Sequence, residues 1–238
     1  MSIIAGNWKM NLNLAEAKEL ASAIRNGLKP TSHEVIVFPS DLHIPAVSEI
    51  LEGSSVKLGI QNIYPAARAA FTGESCLEQS ADFGVSHALI GHSERRQFLG
   101  ETNQFCNEKI LFSQKSGITA VYCVGETLDE REKNQTMDVV KKQLSEGLKG
   151  TSAKNLVIAY EPVWAIGTGK VATPEQAEEV HAFIRKELKS IFGENNIEIL
   201  YGGSVKPDNI VSLMKMPNIE GGLVGGASLK ADSFLALL

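Results

Sequence analysis

Short apolar runs rich in valine and isoleucine recur along this chain, each bounded by turn-forming residues: 3–5, 35–38, 56–60, 87–90, 118–124, 156–160, 197–201 and 222–224. Runs of this length read as buried strands, and there are eight. Between them the apolar positions change to a helical spacing, as in Leu14, Leu20, Ile24 and Leu28, or Val180, Phe183, Ile184 and Leu188, with Glu and Lys on the opposite face. Thr173-Pro174-Glu175 reads as a helix start with its cap and first-turn proline, and Gly27 and Gly193 fall where helices should stop. Strand and helix alternate eight times. The expectation is an α/β protein, a single-domain (β/α)8 barrel with eight parallel strands.

An open, doubly wound sheet is the competing arrangement, and periodicity alone does not separate the two. Strand count favours the barrel. After the first strand the chain reads Ala5-Gly6-Asn7-Trp8-Lys9 instead of a glycine-rich dinucleotide fingerprint, which weakens the open sheet further. At 238 residues the length suits one barrel over 1–238, with no linker or low-complexity tract to divide it.

Composition narrows the function classes. Apolar residues make up 43% and charged residues 21%, enough for a large core. The net charge is −5 and no basic run tracks a phosphate backbone, so no nucleic acid and no anionic membrane surface is expected as a partner. Cys76, Cys106 and Cys123 are widely spaced and form no C-x-x-C pair, which suggests neither disulfides nor a zinc site and fits a reducing compartment. Residues 1–10 lack a leader pattern and no apolar run approaches 18 residues, so a cytoplasmic protein without a membrane segment is expected.

In a parallel barrel the chemistry sits at the C-terminal ends of the strands. Strand 1 runs out through Asn7-Trp8-Lys9, and alternation aims Asn7 and Lys9 into the mouth with Trp8 pointing away. A lone lysine at a strand end is more often a surface residue, so Lys9 depends on its neighbours. After strand 4 comes Gly91-His92-Ser93-Glu94-Arg95-Arg96, which places His92 at the start of a helix. The positive end of that helix disfavours an imidazolium, leaving a neutral ring able to donate to a carbonyl. Strand 6 ends in Tyr160-Glu161-Pro162, a carboxylate on backbone held extended by the proline. The apolar segment 163–169 that follows reads as a lid, with Pro162 and 170–172 as hinges. Gly202-Gly203-Ser204 after strand 7 and Gly225-Gly226 after strand 8 offer backbone N–H groups where barrels commonly bind phosphate.

Four stretches then resemble one family. Gly6-Asn7-Trp8-Lys9-Met10-Asn11, Gly91-His92-Ser93-Glu94-Arg95-Arg96, residues 159–169 (AYEPVWAIGTG) and Tyr201-Gly202-Gly203-Ser204 are similar to triosephosphate isomerase signatures, in order and across the chain. The resemblance implies a TIM barrel that interconverts dihydroxyacetone phosphate and glyceraldehyde 3-phosphate through an enediolate, in glycolysis and gluconeogenesis. It implies Glu161 as the carbon base, His92 as electrophile and Lys9 as charge stabiliser, with Asn7 and Glu94 in support. The backbone of Gly167, Ser204, Gly225 and Gly226 would hold the phosphate, and neither metal nor organic cofactor is required.

The family is usually homodimeric through the loop after strand 3, here residues 61–74, with Thr72 expected at the interface. Its tip reads Ala66-Ala67-Arg68-Ala69-Ala70 where the family often has a small turn pair, so the tip needs another shape. Cys123 reads as a buried structural thiol. His33, His43, His87 and His181 have no motif support and receive no function. Two rivals are another phosphate-ester barrel enzyme, which would not need this lysine, histidine, glutamate and lid together, and a non-catalytic barrel, which predicts loss of Lys9, His92 or Glu161.

Overall fold

The structure, a computed structural model, describes residues 2–166, 172–193 and 196–238. Eight parallel strands close into a barrel in sequence order: β1 Ile3–Asn7, β2 Glu34–Phe38, β3 Lys57–Ile60, β4 Val85–Ile90, β5 Thr119–Val124, β6 Leu156–Tyr160, β7 Ile199–Tyr201 and β8 Gly221–Val224. Closure comes from β1 pairing with β8, Ile3 beside Gly221 and Gly6 beside Val224.

The strand boundaries move by up to two residues from those read in the sequence. The first strand continues past its apolar run because Gly6 and Asn7 still pair with Val37 and Phe38. The seventh starts later, at Ile199, because the Ile197 carbonyl is taken by the Arg185 guanidinium at 2.7 Å.

Among the described residues ten helices wrap the barrel: α1 Leu14–Gly27, α2 Ile44–Leu51, α3 Leu77–Ala81, α4 Ser93–Leu99, α5 Asn103–Lys115, α6 Leu128–Glu132, α7 Thr136–Gly147, α8 Pro174–Phe192, α9 Ile210–Leu213 and α10 Ala231–Leu235. The start read at Thr173 is present as a reciprocal cap with Gln176, and α8 stops at Gly193 with φ 78°.

Alternation along each strand builds two cores. Ile3, Ala5, Ile36, Phe38, Leu89, Val121, Cys123, Val157, Ala159, Leu200 and Leu223 fill the barrel interior. Their neighbours of opposite parity, among them Ile4, Val37, Ile90, Tyr122 and Ile158, pack against helix residues such as Ile24, Val47, Ile110, Leu144 and Ile184. Each large apolar side chain so buried contributes about 1.5–3 kcal/mol. These buried side chains fill the barrel interior, which directs a ligand to its ends. All three cysteines are free and buried.

Candidate active site

The inward parity of β6 runs through Val157 and Ala159 to Glu161, the next inward position beyond the strand. Glu161 is thereby aimed into the mouth on backbone that is pinned at both sides. Its N–H donates to Val124 O of β5 at 2.7 Å, and Gly202 N donates to Tyr160 O at 2.7 Å. Two glycines make this approach possible. A Cβ on Gly125 would lie 1.8 Å from Glu161 O, and one on Gly202 would lie 2.9 Å from Glu161 Cγ.

The Glu161 carboxylate is 2% exposed. Its Oε2 accepts from Ser93 N at 2.8 Å, and its Oε1 lies 3.0 Å from His92 Nε2. Burial pushes its pKa up, but the His92 ring, the Ser93 N–H and Lys9 pull harder and leave it lowered. A lowered carboxyl is ionised at neutral pH and ready to accept a proton.

His92 caps α4, as the sequence places it. Its Nδ1 accepts from Glu94 N at 3.2 Å. A ring nitrogen that accepts from a backbone N–H carries no proton, so the neutral ring keeps its proton on Nε2, the atom that faces Glu161. Burial lowers the His92 pKa, and the adjacent Glu161 carboxylate outweighs this and raises it. The Glu161 carboxylate is the main cause of the rise, with Glu94 adding to it and Lys9 opposing it.

Lys9 reaches the mouth by a route different from the one read in the sequence. The strand ends at Asn7, and Lys9 follows in a turn with φ 51°, a left-handed conformation unusual for lysine. The turn is held from three sides: Lys9 N donates to Asn7 Oδ1 at 3.0 Å, and Gln61 Nε2 donates to both Lys9 O and Phe38 O at 2.9 Å. Trp8 is buried in the outer core, as alternation required. Lys9 Nζ pairs with Glu94 Oε1 at 2.6 Å, so Glu94 neutralises the ammonium when no substrate is present.

Lys9, His92 and Glu161 open onto one cavity of about 800 Å³, shared with Asn7, Glu94, Ile166, Gly202, Gly203, Ser204, Gly225 and Gly226. The glycine pairs after β7 and β8 therefore border the same cavity as the titratable groups: a Cβ on Gly225 would lie 3.5 Å from Lys9 Cε, and one on Gly202 would lie 2.9 Å from Glu161 Cγ. Ser204 Oγ donates to Ala165 O at 2.7 Å, tying the β7 loop to the segment after Glu161. That segment begins as a single 3-10 turn, Val163–Ala165. Gly167, with the rest of the proposed lid and the hinge residues 170 and 171, lies outside the described residues.

Two contributors escaped the sequence reading. The Ser93 amide holds the Glu161 carboxylate, and only the helix start beside His92 hinted at a free N–H there. Glu126, just beyond β5, is 0% exposed and accepts from Tyr160 Oη at 3.0 and 3.1 Å, Trp164 Nε1 at 2.9 Å and Arg131 Nη1 at 3.2 Å. It fastens the root of the lid segment to the barrel. The signal for it was a glutamate two residues past the end of β5, where Glu161 lies one residue past the end of β6.

A barrel mouth in which two glycine loops border one cavity with an ionised carboxylate, a histidine and a lysine defines a class of enzyme that moves protons on a small phosphate ester. Comparison with known proteins gives the particular family. The chain matches the triosephosphate isomerase family over residues 2–238. It is 57% identical to a triosephosphate isomerase of Leptospira interrogans, over 99% of this chain and 98% of that protein. It is 48% identical to one of Pseudomonas entomophila and 47% identical to one of Endomicrobium trichonymphae, each over 99% of this chain and 96% and 97% of the relative. The chain belongs to the triosephosphate isomerase family.

Proposed function

We propose that Glu161, His92 and Lys9 carry out the isomerisation of triose phosphates, the reaction of the family to which the chain belongs, within one catalytic domain over 1–238. The observation that carries this reading is the convergence of the three side chains on one cavity with the glycine loops of β7 and β8. Phosphate at Ser204, Gly225 and Gly226, completed by Gly167, directs the carbonyl carbons toward Glu161. The carboxylate then leaves Ser93 N and His92 to reach carbon. The same movement frees the His92 Nε2–H for the substrate oxygen.

Glu161 removes a proton from the carbon beside the carbonyl. His92 donates a hydrogen bond to the developing enediolate and the Lys9 ammonium balances its charge. A proton passes from the hydroxyl oxygen to the former carbonyl oxygen, and return of the carbon proton from Glu161 to the neighbouring carbon completes the exchange between ketone and aldehyde. Every step uses side chains alone, so no metal or organic cofactor is required. Closure of 163–169 excludes water, in which an enediolate phosphate would eliminate phosphate. Asn7 supports by fixing the Lys9 turn, and Glu94 by holding the ammonium until substrate displaces it.

The reading extends to a homodimer through 61–74. Supporting it, Met10, Phe71, Phe98 and Leu99 are exposed, and Met10, Phe98 and Leu99 help line a second cavity of about 720 Å³ that also reaches Asn62, Arg95, Lys9 and His92. Residues 66–70 form their tip without any positive φ, and Arg68 folds back to pair with Glu78 at 2.8 Å. A second copy, contributing its tip and Thr72, fits this cavity; light scattering at micromolar concentration showing only monomer overturns it. Among the described residues no helix is long and apolar enough to cross a membrane, and a cytoplasmic site fits the three free cysteines.

The test is isomerisation of glyceraldehyde 3-phosphate by purified protein, coupled to reduction of the ketone product. Glu161→Asp withdraws the carboxylate by about 1 Å and is expected to cost on the order of 100-fold in turnover. Unchanged turnover in that variant removes Glu161 as the base.

A further inference from the structure

Arg96, one turn into α4, takes no part in the roles above, yet its guanidinium is nearly saturated in an unusual way. Nε donates back to Gly91 O at 2.8 Å, Nη1 to Asn103 Oδ1 at 2.7 Å, and Nη2 to Tyr122 Oη at 3.1 Å and Cys123 O at 3.2 Å. All four acceptors are uncharged. An arginine placed for charge balance would face a carboxylate, as Arg95 does with Glu101. This one spends its rigid fork on two backbone carbonyls and two neutral side chains.

The two carbonyls are the informative ones. Gly91 O belongs to the peptide that leads into His92. Cys123 O lies one residue before Val124, whose carbonyl takes the Glu161 N–H. A single planar group therefore joins the segment that carries the electrophile to the strand that anchors the base. Gly91 is moulded to it: φ is 71°, and a Cβ there would lie 2.9 Å from Arg96 Nη2 and 2.8 Å from Cys106 Sγ. Gly91, Ser93, Arg96, Cys123, Gly125 and Glu161 surround a small cavity of about 320 Å³. Side-chain packing does not fill this space, so the spacing across it is left to hydrogen bonds.

We propose that Arg96 is a positioning residue for the isomerisation, setting the distance between His92 and Glu161 by holding Gly91 O and Cys123 O in one plane. The proposal rests on the reading of Glu161 and His92 as the reacting pair. Lysine at this position keeps the charge but has one donor atom and cannot span both carbonyls. Arg96→Lys is expected to lower kcat by about 10- to 100-fold while KM changes by less than about threefold, because Arg96 does not line the cavity that contains Ser204, Gly225 and Gly226.

Two controls separate placement from stability. Tyr122→Phe and Asn103→Ala each remove one outer acceptor and keep Gly91 and Cys123; they are expected to lower Tm and to hold kcat within about twofold. A fall in kcat in these two that matches Arg96→Lys, or a wild-type kcat in Arg96→Lys, overturns the proposal. Should Arg96→Lys not fold, the wild-type protein labelled with 15N-arginine decides. Its Arg96 Nε–H resonance is expected to be slow to exchange and to shift on saturation with glycerol 3-phosphate, which draws Glu161 from Ser93; no shift overturns the proposal. Glu161→Asp is assayed alongside. Normal turnover there refutes the base and this proposal with it, whereas failure there with full activity in Arg96→Lys refutes only Arg96.

Discussion

Glu126 and Glu161 are both buried carboxylates beyond the ends of adjacent strands, and they serve opposite ends. Glu126 is closed on every side by Tyr160, Trp164 and Arg131. Glu161 has one backbone N–H and one imidazole, and the imidazole is the group proposed to meet substrate. Burial and charge are the same in the two; the number and permanence of donors differ. A carboxylate with saturated acceptors is a fastening, and one whose donors are shared with the ligand is a base. Burial by itself would have named either.

The comparison predicts effects of very different size. Glu161→Gln removes the proposed base and is expected to lower kcat by about 10³- to 10⁴-fold with little change in Tm, measured by the coupled assay and a thermal melt. Lys9→Ala should lower kcat/KM by about 10²- to 10³-fold, with both kcat and KM affected, since the ammonium meets negative charge in substrate and enediolate alike. A normal kcat/KM removes Lys9 from the site.

Buried histidines sharpen the contrast through pH. Burial lowers His87 and His181 to about 4, with Lys57 adding to the effect at His87 and Arg185 at His181, where the Asn218 carbonyl partly offsets it. The unfolded chain binds these protons near 6.5, so each costs on the order of 3 kcal/mol of stability as pH falls from about 6.5 to 4. His92 has the opposite sign. Its raised pKa makes the pair with Glu161 stabilising below 6.5, and this contribution is lost as pH rises through the folded value. Urea midpoints between pH 4 and 8, compared for the wild type and His181→Gln, test the first statement: the variant should lose about half of the acid sensitivity. The smallest effect belongs to Glu126→Gln, about 2 kcal/mol of stability from weaker hydrogen bonds with activity within about tenfold. A larger loss of kcat than of stability would place Glu126 nearer the chemistry than its contacts do.

Period-two alternation and turn residues made the barrel legible, and the same alternation pointed Glu161 inward. His92 was legible because a helix start follows it directly. Lys9 borders the cavity by a route that strand alternation does not describe: a left-handed lysine held by Gln61, 52 residues on, leaves no local trace. Glu126, Ser93 and Arg96 were missed for a related reason. Their meaning lies in which carbonyl or carboxylate they meet across the barrel, and spacing along the chain does not carry that. The boundary of β7 moved for the same cause, a side chain from α8 taking a carbonyl that a strand would have used.

Closure of the barrel by β1 against β8 has a consequence for synthesis. Ile3 must wait for Gly221, so roughly 220 residues emerge between the two halves of one ladder. At about 5–20 residues per second that is on the order of 10–45 seconds during which the first strand has one edge without its final neighbour. A ribosome pausing late in this message would prolong that exposure, and the nascent chain would then depend on chaperones to keep its first edge from pairing with another molecule.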